Sequence, residues 1–135
     1  MNLIDAVHGG LRMTGEGRER QEERINKVII DVAEEVMLSI FGRRGLESII
    51  RVMRERHCLD ISEISDKPHI FSEALHEIIG VGSIIIEDLI VENLYIRLGL
   101  EFHWKKGYKF QDYINEVKNH ISLNPRKLPL PSPGV

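Results

Sequence analysis

The stretch from Phe71 to Phe102 reads FSEALHEIIGVGSIIIEDLIVENLYIRLGLEF, and it decides the fold. Two helical patterns of apolar residues meet at Gly80-Val81-Gly82, and the second, about residues 82–98, is apolar on nearly every side. A surface helix carries one apolar stripe, whereas a helix that is apolar all round is usually buried. The stretch therefore predicts an all-α protein, a compact bundle of about five helices around a buried central helix.

The size and composition of the chain are those of one globular domain. Its 135 residues are enough to bury a core without disulfides or metals, and 42% of them are hydrophobic and 29% charged. A single cysteine, Cys58, excludes an internal disulfide and a multi-cysteine zinc site. We find neither a secretory signal nor an apolar stretch that could span a bilayer, so we expect a cytoplasmic protein without membrane contact. Abundant isoleucine, glutamate and arginine are typical of thermophiles.

Apolar spacing, glycines and prolines divide the chain into three parts. We expect a flexible N-terminal arm (1–17), a single helical domain (18–122) and an extended tail (123–135). The tail begins just before four prolines, which exclude a helix there. Within the domain, the apolar spacing predicts five helices, at about residues 18–41, 44–57, 68–79, 82–98 and 110–121.

Local signals set the expected helix boundaries. Gly42 stops or bends the first helix, and Asp60 to Glu63 has capping-box spacing. Pro68 suits the first turn of a helix, and Gly99 is a good left-handed C-cap. Residues 80–82 lack the lysine and the preceding strand of a phosphate loop, so we interpret them as a tight corner in which glycine supplies positive φ.

Charge is segregated along the chain, although the formal net charge is only −3. Residues 59–101 contain nine acidic and two basic residues, whereas residues 102–127 contain two acidic and six basic ones. Residues 43–58 are also basic, with five arginines and two glutamates. A small net charge gives no global attraction to nucleic acid, so charge-based recognition would depend on these local stretches.

The residue types that support catalysis or metal binding do not cluster in the sequence. No HxxxH pair falls on a predicted helix, and His69 and His76 lie about 10 Å apart along a helix axis. His57 precedes Cys58, but neighbours on a helix point about 100° apart, so His57 is badly placed as its base. We therefore expect Cys58 to be a buried, inert thiol. The sequence predicts no catalytic, cofactor-binding or metal-binding residue and no enzyme.

Two basic clusters are the candidate contact sites for a partner. The arginine flank lies along the second predicted helix, and the lysine-aromatic segment (103–109) interleaves three lysines with Trp and Tyr. Lysines can neutralise phosphates while aromatic rings stack on bases, but the same composition suits a protein-binding hot spot. Alternatively, the aromatic rings cap the bundle and the lysines stay hydrated. The candidate residues are Arg43, Arg44, Arg51, Arg54, His103, Trp104, Lys105, Lys106, Tyr108 and Lys109.

The first predicted helix carries an apolar stripe that either packs on its own bundle or pairs with a second copy of the chain. The second alternative would make the protein a homodimer, with Arg18 to Arg24 as a charged flank. The stripe consists of Ile25, Ile29, Val32, Val36 and Ile40.

From Ile40 to Phe102 the chain resembles a small archaeal helical family of unknown function, which includes the output domain described in nitrosopumilus-type signalling proteins. The resemblance rests on Phe41-Gly42 before a helix, the link from Ile61 to Pro68, Phe71 to Gly82, and Leu94 to Leu100. It covers about half of the chain and brings no catalytic residues. It implies an all-helical output or interaction domain.

The leading hypothesis is a non-enzymatic archaeal binding module, a signalling output or adaptor domain that acts through protein–protein contacts. The alternative is a nucleic-acid-binding protein that uses segment 103–109 and the arginine flank, with binding that weakens steeply as salt is added. An enzyme is the third class, and no pair of residues has the spacing that catalysis requires.

Overall fold

The computed structural model describes residues 15–123, and over this range the protein is all-α without a β-strand. The α-helices are α1 (Gly15–His57), α2 (Pro68–Ile79), α3 (Ser83–Leu98) and α4 (Phe110–Leu123). Short 3-10 turns lie at Ile61–Glu63 and Gly80–Gly82. The predicted all-α class is confirmed. The count of about five helices is not confirmed, because the first two predicted helices form the single element α1.

The first and last described helices extend slightly beyond the predicted helical domain (18–122). α1 begins at Gly15, inside the stretch predicted as an arm, and α4 continues to Leu123. The rest of the predicted arm and the proline-rich tail, residues 1–14 and 124–135, lie outside the described residues.

Gly42 interrupts α1 without ending it. Its φ of 74° and ψ of 175° are not helical, and the helix is kinked there. This backbone region is almost restricted to glycine. The two helices predicted at 18–41 and 44–57 are therefore the two arms of one kinked helix.

The apolar stripe of α1 is used inside the chain. Ile25, Ile29, Val32 and Val36 are buried in the core, whereas Ile40 is exposed just before the kink. The prediction that this stripe packs on its own bundle is confirmed for the four buried residues. Pairing with a second copy through these four residues would require them to leave the core.

The C-terminus of α1 departs from the sequence prediction at Cys58. The Leu59 N–H donates back to the Met53 carbonyl in the last turns of the helix, at 3.2 Å. Cys58 occupies a left-handed position with φ 51°, and it is exposed. The prediction of a buried thiol is therefore wrong, because the chain reversal after His57 turns this side chain to solvent.

The predicted boundary signals between α1 and α3 are present. The Asp60 N–H donates to the Glu63 carboxylate at 2.9 Å, while the Asp60 carboxylate accepts from the Ser62 N–H at 3.1 Å. Pro68 starts α2, where its missing N–H is not needed. Gly80 has the positive φ expected of the corner, 72°, whereas Gly82 has an ordinary helical φ of −62°.

Helix α3 lies at the centre of the fold and packs against α1, α2 and α4. It ends at Gly99, which has the predicted left-handed conformation with φ 68° and ψ 27°. Seven of its residues are buried, and they include Ile90 and Leu94. The expectation of a helix that is buried all round is nevertheless wrong on one side, where several isoleucines face solvent.

Candidate functional site

The lysine-aromatic segment is an irregular loop that wraps around the buried ring of Tyr113. The rings of Phe102 and Trp104 each lie 5.8 Å from the Tyr113 ring, and that of Tyr108 lies 5.0 Å away, measured between centroids. The Lys105 N–H also donates to the Tyr113 hydroxyl at 2.8 Å. The alternative in which aromatic residues cap the bundle is therefore partly realised. Trp104 and Tyr108 still remain 53% and 40% exposed.

The outer side of this segment forms one wall of a groove of about 640 Å³, and the α2–α3 hairpin forms the other. We call it the hairpin groove. It brings together five of the predicted site residues with hairpin residues that the sequence did not indicate. The residues used below are Trp104, Lys105, Lys106, Tyr108 and Lys109 from the segment, and Ser72, Glu73, Ile84, Glu87 and Asp88 from the hairpin.

Carboxylates make the hairpin wall acidic. Burial raises the pKa of Glu87, although this carboxylate accepts a hydrogen bond from the Ser72 hydroxyl. Burial and the nearby charge of Glu92 raise the pKa of Asp88. The groove therefore has lysines on one wall and desolvated carboxylates on the other, an arrangement that suits a ligand of mixed charge better than a polyanion.

Lys105 and His103 each have an acidic neighbour away from the hairpin wall. The Lys105 ammonium pairs with Glu116 on α4, which also accepts a hydrogen bond from the Tyr95 hydroxyl at 2.7 Å. Burial alone would raise the pKa of Glu116, but the hydrogen bonds from Lys105 and Tyr95 hold it below its usual value. His103 does not line the groove, and its imidazole lies 3.2 Å from the Glu101 carboxylate.

The arginine flank does not share the hairpin groove. Its four arginines are exposed, and none of them lines that groove. Arg43 lines a separate cleft of about 340 Å³ whose other residues include Glu34, Glu35 and Glu47. The Arg54 guanidinium lies 3.5 Å from the Asp60 carboxylate. The two predicted basic clusters therefore do not share the hairpin groove.

The side of α3 that faces away from the core is a second candidate surface. Ile85 and Ile96 are 65% and 75% exposed, and Val81 and Ile84 at the hairpin corner are 78% and 54% exposed. Leu89 lies between the two isoleucines and is partly buried against the core. We define the open face of α3 by four residues, Ile85, Leu89, Glu92 and Ile96.

Three contacts fix which sides of α3 are covered. Arg97 donates to the Glu35 carboxylate on α1, Glu87 accepts from Ser72 on α2, and Tyr95 donates to Glu116 on α4. Since successive residues turn about 100° around a helix axis, the open face points away from all three neighbours. It is the fourth side of a helix whose other three sides are packed.

In the described part of the chain, no three His, Cys, Asp or Glu side chains are placed to hold a metal ion. His69 lines the hairpin groove, whereas His76 lies 3.4 Å from the Ser83 hydroxyl. His57 lies 3.2 Å from the Glu77 carboxylate on α2.

Sequence reasoning missed the acidic wall of the groove and the exposure of the open face. A signal for the first was available, because residues 59–101 are acidic and residues 102–109 basic, and opposite charges favour juxtaposition. The second had no local signal, since an isoleucine on a helix reads the same whether or not a neighbour covers it.

No protein-family profile matches the chain, and comparisons with curated proteins and with solved structures return no match. Between residues 15 and 123, none of the helices combines the length and the apolar character that crossing a membrane requires. The fold and its surfaces define the class of protein as an all-α domain with an uncovered apolar helix face.

Proposed function

We propose that the protein is a non-enzymatic binding module that acts through protein–protein contacts, an adaptor or signalling output domain of the kind that the family resemblance implies. The observation that carries this proposal is the open face of α3. Burying one large aliphatic side chain is worth about 1.5–3 kcal/mol, and contiguous exposed apolar surface commonly marks an interaction site. Covering Ile85 and Ile96 would therefore favour the binding of a partner.

The sequence of α3 supports the same function. Its apolar residues surround the helix, as in the centre of a bundle, yet only three sides are packed within residues 15–123. A partner helix on the open face would enclose α3 on the fourth side and complete the environment that its sequence predicts.

The hairpin groove supports a second part of the same contact. Ile84 lines the groove and adjoins Val81 and Ile85 at the corner, so the apolar surface continues from the open face to Trp104 and Tyr108. Exposed tryptophan and tyrosine are the side chains that contribute most at protein interfaces. A protein partner with both apolar and charged groups fits this surface.

The test compares tagged wild-type protein with an Ile85→Ser/Ile96→Ser variant in co-purification from the source organism, combined with light scattering. Ile40→Ser is the matched control, because Ile40 is also an exposed isoleucine but lies on α1. We expect the wild type and the control to retain the same protein partner or the same dimer, and the double variant to lose it. Identical partners and masses for all three proteins would contradict the proposal.

Nucleic-acid binding is the second candidate, and the observation that favours it is the exposure of the whole lysine-aromatic segment. The carboxylates of Glu73, Glu87 and Asp88 on the facing wall oppose a phosphate backbone in the groove. A gel shift at low salt, with a Lys106→Glu/Lys109→Glu variant as the control, tests this candidate. A shift that the variant and added salt both abolish would favour it over the protein-binding function.

A further inference from the structure

We infer that the open face of α3 accepts an amphipathic helix of another protein that carries a basic residue opposite Glu92. This inference rests on the proposed protein-binding function and specifies the partner. Its first support is the spacing of the open face. Ile85, Leu89, Glu92 and Ile96 are separated by four, three and four residues, which is the spacing of the contact positions in a coiled coil.

The dimensions of the face suit a helix as the occupant. From Ile85 to Ile96 the face extends for three turns, about 16 Å along the axis. Apolar residues stand at both ends and Leu89 lies between them, so a partner helix in line with α3 would contact all three. The single polar contact position is Glu92.

The charges around the face select a basic partner. Glu92 lies within the face, and Asp88 lies one turn before it, where burial and the charge of Glu92 raise its pKa. On the α1 side, Asp31 lies 3.4 Å from the Lys27 ammonium and Glu35 pairs with Arg97, so these charges largely offset one another. The negative charge that a partner would meet therefore comes from Glu92 and Asp88 on α3 itself, and a lysine or arginine opposite Glu92 would be attracted.

The same charges disfavour a second copy of this chain. In an antiparallel pair of α3 helices centred on the face, Ile85 would meet Ile96 of the copy, but the Asp88 and Glu92 carboxylates of both copies would gather near the middle. In a parallel pair, Glu92 would lie beside its own copy. Like charges that are brought together in an interface cost binding free energy, so neither arrangement is complementary.

Designed peptides test the inference directly. The first probe is a three-heptad amphipathic peptide with leucine at the contact positions and one lysine at the central contact position, and the second carries glutamate there instead. We expect the lysine peptide to bind the full-length chain about tenfold more tightly in calorimetry. A Glu92→Lys variant should reverse the preference, and added salt should weaken it.

The remaining outcomes separate this inference from the proposed function. Equal binding of both peptides, lost in an Ile96→Glu variant, would overturn the role of Glu92 while leaving a protein-binding face. A dimer of the chain that Ile96→Glu dissociates would show that a second copy is the occupant and would also overturn the inference. If neither peptide binds, the inference is wrong. If, in addition, the Ile85→Ser/Ile96→Ser variant keeps every partner of the wild type, the proposed function fails with it.

Discussion

The two sides of helix α3 carry the same kinds of side chain in opposite surroundings. Ile90 and Leu94 on the inner side are fully buried between the other helices, while Ile85 and Ile96 on the outer side face water. The inner side packs against α1, α2 and α4, whereas no helix within residues 15–123 packs against the outer side. The comparison teaches that the inner residues hold the fold together, whereas the proposed binding function depends on the outer ones.

The largest expected difference between the two sides is in stability. Leu94→Ala should lower the free energy of unfolding by about 3 kcal/mol, because it leaves a cavity in the packed core. Ile96→Ala should change it by less than about 0.5 kcal/mol, because the residue is exposed. Urea unfolding of both variants checks this. A loss above about 1.5 kcal/mol for Ile96→Ala would break the comparison and show that the outer side is already covered in solution.

The next largest effect on stability is expected at the Gly80 corner between α2 and α3. Gly80 has φ 72° and ψ −149°, a region almost restricted to glycine, so Gly80→Ala should cost about 1–3 kcal/mol. Gly82→Ala is the matched control two residues later, where φ is helical and a Cβ would meet no atom within 4 Å. It should be neutral or stabilise by up to about 1 kcal/mol. Equal losses in thermal unfolding would mean that the corner is held by side-chain packing rather than by the backbone of Gly80.

The packing of α4 against α3 can be tested at the Glu116 carboxylate, which accepts a hydrogen bond from Tyr95. Tyr95→Phe removes the hydroxyl that donates to Glu116 at 2.7 Å and should lower the free energy of unfolding by about 1 kcal/mol. Tyr108→Phe is the control, because its hydroxyl lies 3.3 Å from the same carboxylate and its ring is more exposed. It should cost less than about 0.5 kcal/mol. A larger loss for Tyr108→Phe would show that the lysine-aromatic segment, and not α3, fixes the position of Glu116.

The smallest effect concerns pH. Burial raises the pKa of Glu87, so its ionised form destabilises the folded state, and this penalty disappears as pH falls through the raised pKa. Glu87→Gln should therefore stabilise the protein at pH 7 by less than about 1 kcal/mol, since the carboxylate is only partly buried. The gain should vanish in the acidic range where wild-type Glu87 is protonated. Unfolding curves of the wild type and the variant across this pH range check the prediction. A gain that is constant with pH would rule out ionisation of Glu87 as its cause.

Local signals in the sequence predicted the parts of the fold that depend on a few adjacent residues. The capping box from Asp60, Pro68 at the start of α2 and the left-handed Gly99 are all where they were expected. Each is decided by backbone geometry within one turn. Cys58 is the exception, because a left-handed helix end usually takes glycine and nothing in His57-Cys58-Leu59 indicates one.

The candidate site was only half predictable, because it depends on contacts between distant parts of the chain. The lysine-aromatic segment stood out by composition, but its facing carboxylates lie between 15 and 36 residues earlier, on α2 and α3. The spacing of Ile85 and Ile96 identified them as apolar helix positions. The periodicity of apolar residues does not show, however, whether a neighbouring helix packs against them. The difference between the packed side and the proposed binding side of α3 is therefore visible in the structure but not in the sequence.

Trp104 is the single tryptophan of the chain, and it stands where the aromatic residues around Tyr113 meet the hairpin groove. Its fluorescence therefore monitors this one location, whereas far-ultraviolet circular dichroism monitors the helices. A change in emission without a change in dichroism would report detachment of the loop or occupation of the groove. The molecule thus contains its own optical probe for separating local events at the candidate site from unfolding of the bundle.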